Sequence, residues 1–230
     1  SIRRQRQMCI RDSHIMDPAE GWLACGITGV GRLPEPEAIV DWLESKMCST
    51  NELEGTTILV TAGGTQESID PVRYIGNRSS GKMGYAIAEQ AARMGAKVIL
   101  VSAPTSLPIP SGVDFISVDS AVSMQEAVEA CYNDVNVVIM AAAVSDFRVL
   151  HKAEQKIKKM ESMTIELVKN PDILQGLGSK KSHQILVGFA AETEHVIKYG
   201  QDKVAKKNLD MLVANDVSKS NAGFNVDTNE

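Results

Sequence analysis

No closely spaced cysteine pair occurs in this chain. Its four cysteines, Cys9, Cys25, Cys48 and Cys131, lie far apart, form no CxxC and have no histidine at metal-ligand spacing. That pattern points away from a disulfide framework or a cysteine metal site and fits a reducing, cytoplasmic setting. No apolar run reaches the roughly 20 residues that a membrane helix needs, and no signal peptide is visible. Excess positive charge is missing as well: the formal net charge is −5. Such a chain has no general pull toward nucleic acid or an anionic membrane, so neither is expected as a partner. Repeats and low-complexity tracts are absent. What remains is 230 residues, 43% of them hydrophobic, which is enough for one sizeable folded core.

The two ends differ from the middle. Residues 1–13, SIRRQRQMCIRDS, carry no apolar period and read as a non-native leader. Residues 14–36 are rich in Gly and Pro. Residues 37–47 predict a short amphipathic helix with Ile39, Val40, Leu43 and Met47 on one side. CSTNELEG then reads as a linker. At the far end, FNVDTNE follows a predicted strand with no closing helix, so the chain reads as a piece of a longer protein.

From Thr57 onward strands alternate with helices. TILVTA, KVILVSA, DFISV, NVVIMAAA, TIELV, ILVGFAA and MLVAND are strand candidates. Helices are expected over GKMGYAIAEQAARMG, over Ser120 to Tyr132 and over residues 194–208. Ser79 or Ser80 is expected to cap the first of them, and Gly95 to end it. The alternation predicts a doubly wound, Rossmann-like, mostly parallel sheet with helices on both faces. Such sheets bind ligands beyond the carboxyl ends of their strands.

The stretch between TILVTA and its helix is long for a strand-to-helix loop, which marks it as functional. It holds Arg73, Asn77, Arg78 and Lys82, with SSG (Ser79–Gly81) at the helix start. Gly63 and Gly64 would let the backbone approach a ligand. Helix amides, serine hydroxyls and cationic side chains together suit a phosphate or carboxylate; the alternative is a charged surface lid. The loop is not GxGxxG, and the second strand ends in Ser102-Ala103 without an acid for a ribose hydroxyl. There is no GxxxxGK[ST] either. Two common nucleotide schemes are therefore disfavoured.

GGTQESIDPVRYIGNRSSGKMGYAIA resembles the opening of phosphopantothenoylcysteine synthetase, and the likeness runs from about Thr57 to Asn225. The resemblance implies a ligase that uses CTP to make an acyl-cytidylate from 4′-phosphopantothenate, then joins it to cysteine, in coenzyme A biosynthesis. It assigns Asn77 to the acyl-cytidylate intermediate, and Arg73 with Ser79, Ser80 and Gly81 to phosphopantothenate. It also implies a homodimer, and Mg²⁺ accompanying the nucleotide, with metal ligands unassigned. The chemistry suits these residue types: a carboxylate becomes an acyl donor only once its oxygen can leave, and the site must then supply cations and neutral donors.

Later clusters take their roles from the same likeness. In NVVIMAAAVSDF, small residues followed by an acid suit either a flat base or close helix packing; the resemblance gives Met140, Ala141, Ala142 and Asp146 to CTP. KIKK by itself is better explained by a solvated charge run, but the likeness matches Lys156 to the nucleotide phosphates. Pro171, Asp172, Ile173 and Leu174 would line the CTP pocket, with Asn170 a candidate helix cap. Phe189 would contact the base, or else simply fill the core. Lys203 and Lys207, four apart on one helix face, would reach the triphosphate. Asp216 is a weaker candidate for placing a metal.

GWLACGITGVGRLPEP resembles the tail of phosphopantothenoylcysteine decarboxylase, where a cysteine at the position of Cys25 donates a proton. Residues 14–50 are thus expected to be a decarboxylase remnant plus linker, and residues 51–230 a C-terminally truncated ligase domain. FMN would belong only to the complete decarboxylase half. Two other readings stay open: a Rossmann-type NAD(P)-binding oxidoreductase, and an inactive nucleotide-binding fragment.

Overall fold

The computed structural model describes residues 15–23, 26–47, 50–192 and 196–216. It divides into two compact units, Ser1–Ser49 and Thr50–Glu230. In the first, strands β1 (Ala19–Trp22) and β2 (Thr28–Arg32) form an antiparallel hairpin, followed by helix α1 (Pro36–Met47). The hairpin was not expected, because Gly and Pro obscure any alternation there. Cys25 and residues 1–13 lie outside the described residues.

The second unit is built on a six-stranded parallel sheet. Its strands are β3 (Thr57–Ala62), β6 (Lys97–Ser102), β7 (Val113–Ser117), β8 (Val137–Met140), β11 (Ile185–Glu192) and β12 (Met211–Asp216), in the order β12-β11-β8-β3-β6-β7. Counted along the sheet, that is the 6-5-4-1-2-3 winding of Rossmann-type folds. The first strand, β3, pairs with β6 on one side and β8 on the other, so chain order reverses between β3 and β8.

Alternation along β3 assigns its side chains to two cores. Ile58, Val60 and Ala62 pack with Val98, Leu100, Tyr85, Ala88 and Ala91 under helix α2 (Lys82–Arg93). Leu59 faces the other way, into a cluster with Val138, Leu186, Met124, Val128 and Leu177. That cluster belongs to helices α3 (Ala121–Cys131) and α4 (Ile173–Lys180), and Val204 of helix α5 (Val196–Lys207) packs against it. Leu59, Leu100, Met124, Leu177 and Leu186 are all fully buried. Each such side chain is worth about 1.5–3 kcal/mol relative to exposure, so these two layers hold the sheet in place.

Two small hairpins stand off the sheet. The long loop after β3 contains β4 (Gln66–Ser68) and β5 (Tyr74–Gly76), antiparallel to each other. Strands β9 (Phe147–Val149) and β10 (Leu167–Lys169) form the second hairpin. Only Leu167–Lys169 of the expected region around TIELV is strand, and NVVIMAAA is strand only to Met140. Three-residue strands carry no readable period, which is why the loop hairpin was missed.

Candidate functional site

Most of the candidate site residues lie beyond the carboxyl ends of β3 and β8. Beyond these strands the two chains continue side by side: the Thr65 amide donates to the Ala143 carbonyl (3.2 Å), and the Ala143 amide donates to Gly63 (2.8 Å). The buried Thr61 hydroxyl accepts the Ala142 amide at 3.1 Å, and Thr65 Oγ1 accepts the Ser145 amide at 2.9 Å. Two threonines thus hold the Ala141–Asp146 segment to the end of β3. Met140 is buried; Ala141 and Ala142 are half-buried, and Asp146 is exposed.

Gly63 and Gly64 act differently from the expectation. A Cβ on Gly63, whose φ is 78°, would stand 2.6 Å from the Ala103 carbonyl oxygen, and one on Gly64 would stand 2.7 Å from the Asn77 carbonyl oxygen. The space that glycine opens is filled by the protein's own backbone. It lets the Asn77–Gly81 loop and the loop after β6 close onto the end of β3. Asn77 is exposed, and its Nδ2 donates to the Val144 carbonyl at 3.1 Å. The loop that carries Asn77 therefore lies directly on the Ala142–Asp146 segment, 67 residues away in sequence.

The helix start is also corrected. Gly81, at φ 77°, occupies the N-cap of α2, and no side chain caps that helix. The Ser79 hydroxyl instead accepts the Gly81 amide (3.3 Å), and Ser80 accepts the Lys82 amide at a long 3.4 Å. Both serines are half-buried along an open groove of about 610 Å³, lined also by Lys82 and Pro104–Leu107.

On the other side of Asp146, Asn170 is buried. Its amide donates to the Asp146 carbonyl (2.7 Å) and its Nδ2 to Ser145 (2.8 Å). So occupied, Asn170 does not cap α4. The cap is Asp172, whose carboxylate accepts the Gln175 amide at 3.0 Å. Asp172 also meets Lys207 Nζ at 2.9 Å. Burial pushes the Asp172 carboxyl upward, but the bonds from Lys207 and the Gln175 amide outweigh it and hold the pKa below its ordinary value. Pro171 is half-buried, Ile173 is in the core, and Leu174 lies over β11, where a Cβ on Gly188 would stand 2.9 Å from it. Phe189 follows in β11, half-buried, one residue past the pairing of Gly188 with Met140. Lys203 and Lys207 are both half-buried on α5. The Asp216 side chain lies outside the described residues.

Lys156 lies in an exposed, irregular segment. That segment is nonetheless tied to the β4–β5 hairpin. The Asp70 carboxylate accepts the amides of Val72 and Arg73 (both 2.8 Å) and of Ile157 (3.1 Å). Arg73 donates from Nη2 to the Ile157 carbonyl at 2.6 Å.

A family model described as the DNA/pantothenate metabolism flavoprotein C-terminal domain matches residues 53–230. The chain belongs to this family. Among curated relatives it is 48% identical over 234 residues to the coenzyme A biosynthesis bifunctional protein CoaBC of Bacillus subtilis, covering 100% of this chain and 58% of that protein. It is 48% identical to CoaBC of Escherichia coli, covering 94% of this chain and 54% of that protein. The chain thus spans a little over half the length of the relatives it matches. Among solved structures, the C-terminal domain of a CoaBC protein superimposes with a TM-score of 0.66 at 50% identity, covering 73% of this chain and 81% of that one. A Cab2 variant in complex with phosphopantothenate-cysteine superimposes with a TM-score of 0.59 at 18% identity, over 79% of this chain and 80% of that one; it shows a shared fold.

Several residues that organise the candidate site escaped the sequence reading: Thr61, Thr65, Asp70, Ser145 and Asn170. Asp70 left one local signal, since Asp-Pro-Val-Arg is a turn opening in which the first aspartate accepts backbone amides. The rest are small polar residues whose hydrogen-bond partners lie 22 to 81 residues away. Among the described residues, no group of three or more His, Cys, Asp or Glu could hold a metal ion, and no helix is long and apolar enough to cross a membrane.

Proposed function

We propose that residues 51–230 form a ligase domain that joins 4′-phosphopantothenate to L-cysteine at the expense of CTP, in coenzyme A biosynthesis. The observation that carries this reading is the bond from Asn77 Nδ2 to the Val144 carbonyl beyond the ends of β3 and β8. It brings the loop read as the phosphopantothenate side onto the segment read as the nucleotide side.

Two displacements account for the reaction. A carboxylate oxygen of phosphopantothenate attacks the α-phosphorus of CTP, the bond to the β-phosphate oxygen breaks, and pyrophosphate leaves. The cysteine amine, having lost its extra proton to solvent, then attacks the acyl carbon, and CMP leaves with the former carboxylate oxygen. Arg73, Asn77, Ser79, Ser80 and Gly81 serve the pantothenate side, with the Gly63–Gly64 backbone beneath them. Asn77, a neutral donor, steadies the acyl-cytidylate. Met140, Ala141, Ala142, Asp146, Pro171–Leu174 and Phe189 take the cytidine, and Lys156, Lys203 and Lys207 the triphosphate. Mg²⁺ arriving with the nucleotide would shield the triphosphate charge.

Incubation with phosphopantothenate, CTP, Mg²⁺ and cysteine, with pyrophosphate measured, tests the reading. Pyrophosphate release that depends on phosphopantothenate supports it; a folded sample that releases none leaves a nucleotide-binding fragment as the better description. An NAD(P)-binding oxidoreductase shares this strand order, but β6 ends without an acid for the ribose. Stabilisation by NAD and not by CTP would reinstate it.

The parent of such a chain would also decarboxylate phosphopantothenoylcysteine, using FMN and Cys25. Pairing of two copies through the ligase domain is supported by the apolar side chains exposed around the two hairpins: Val72 and Tyr74 near β5, and Phe147, Leu150 and Leu167 on or beside β9 and β10. The cysteine spacing supports a cytoplasmic location.

A further inference from the structure

We infer that Asp70 is a positioning residue that, together with Arg73, holds the Lys156 segment at a set distance from Asn77. Asp70 lies in the turn of the β4–β5 hairpin, seven residues before Asn77, and its side chain is wholly buried. Both carboxylate oxygens are used. Oδ1 accepts the Val72 and Arg73 amides, each at 2.8 Å, and closes the turn. Oδ2 accepts the Ile157 amide at 3.1 Å and faces Arg73 Nε at 3.4 Å.

Arg73 completes the clamp. Its Nη2 donates to the Ile157 carbonyl at 2.6 Å, so both backbone polar groups of Ile157 end on this Asp–Arg pair. One further bond, from the Ala153 amide to the Ile69 carbonyl (2.9 Å), lies beside it. Among the described residues these are the three hydrogen bonds that join residues 151–163 to other parts of the structure, and that segment has no helix or strand of its own. Lys156 precedes Ile157 by one peptide bond. Its position is therefore set by a carboxylate 86 residues earlier, on the same hairpin that delivers Asn77.

The inference rests on the proposed role of Lys156 at the nucleotide phosphates and gives that role a cause. A flexible lysine on an untethered loop loses much rotamer and backbone freedom each time it meets a phosphate. A buried carboxylate that has already fixed the neighbouring backbone removes part of that cost. Arg73 accordingly acts on this loop as well as on any substrate. Asparagine in place of Asp70 could not substitute, because its Nδ2 would face an N–H where the carboxylate accepts one.

The test uses Asp70→Asn and Arg73→Lys in this chain, with Lys156→Gln as reference. Both clamp variants are expected to raise the KM for CTP about tenfold, the scale of one charge-assisted contact, with the KM for cysteine changed by less than about twofold. Adding Asp70→Asn to Lys156→Gln should raise the CTP KM no further, because the clamp acts through that lysine. Tryptic cleavage after Lys156, Lys158 and Lys159 should speed up about tenfold in both clamp variants, reporting local release of the segment. Additive KM effects in the double variant, or cleavage as slow as in the parent chain, would overturn the inference. If Asp70→Asn does not fold, Arg73→Lys carries both measurements. A parent chain that shows no CTP-dependent turnover rejects the ligase reading instead, and cleavage alone then decides whether the clamp exists.

Discussion

Lys207, at the end of α5, places its ammonium 2.9 Å from the Asp172 carboxylate that caps α4. Two expected nucleotide contacts are thus paired with each other. A triphosphate entering here would meet a lysine already oriented by a carboxylate, and would share it. Replacing Lys207 with alanine should raise the KM for CTP about tenfold or more, the loss of a charge-assisted bond worth about 1.5–3 kcal/mol. Stability should change by less than about 1 kcal/mol, since the pair is partly exposed. An unchanged KM would make the pair a helix-end ion bridge and nothing more.

The same two helices meet at Gly178. A Cβ there would stand 1.9 Å from the Lys207 carbonyl oxygen. Gly178→Ala should push α5 away from α4 and cost about 1–3 kcal/mol as overpacking. Denaturant unfolding measures the cost, and CTP titration of the variant should show weaker binding. A variant as stable as the parent would mean that the helices separate easily.

On the ligase reading, Asn77 separates the two half-reactions. Asn77→Ala should still release pyrophosphate in an amount near that of the parent chain, because on that reading the first displacement relies on cations. Amide formation should fall by about 100-fold or more, as expected when a donor to a developing charge is lost. Single-turnover assays with labelled phosphopantothenate distinguish the steps. Equal loss of both would remove Asn77 from the second step.

Acid stability follows in part from three aspartates. Asp70, Asp172 and Asp210 all titrate below their ordinary 3.8. For Asp70 and Asp172, burial acts upward and is outweighed, at Asp70 by three backbone amides and Arg73; at Asp210 the Lys181 ammonium leads, followed by the Leu186 amide. A depressed folded-state pKa means that the unfolded chain binds protons first. The stabilisation is complete above about pH 4, falls as the pH drops below it, and is gone once the folded carboxyls protonate. Denaturant midpoints measured from neutral pH downward should hold level and then fall below about pH 4. Asp210→Asn should make that fall shallower; an identical profile would show that Asp210 contributes nothing to it.

The residues that build the sheet announce themselves locally. TILVTA, KVILVSA and MLVAND are apolar runs of strand length, and Ser120 precedes a helix that it does cap, through the Ser123 amide. These features depend on neighbours in sequence, so period and propensity suffice. The motif loops were legible for a related reason: each follows a strand, and parallel strands present their carboxyl ends together. The position of the α4 cap was not legible. Asn170 and Asp172 are both good capping residues, and only the demands of Ser145 and Asp146 on Asn170 leave the cap to Asp172.

By itself the sequence determined an alternating α/β chain whose polar and glycine-rich loops sit past the strand ends. Tertiary structure decided which of those loops touch. Placing β8 beside β3 brings Val144 to Asn77, and the β4–β5 hairpin brings Asp70 to Ile157. These bonds join residues 67 and 87 positions apart. Their partners are set by the order of strands in the sheet and by the shape of a hairpin, and neither leaves a periodic trace in the residues that form them.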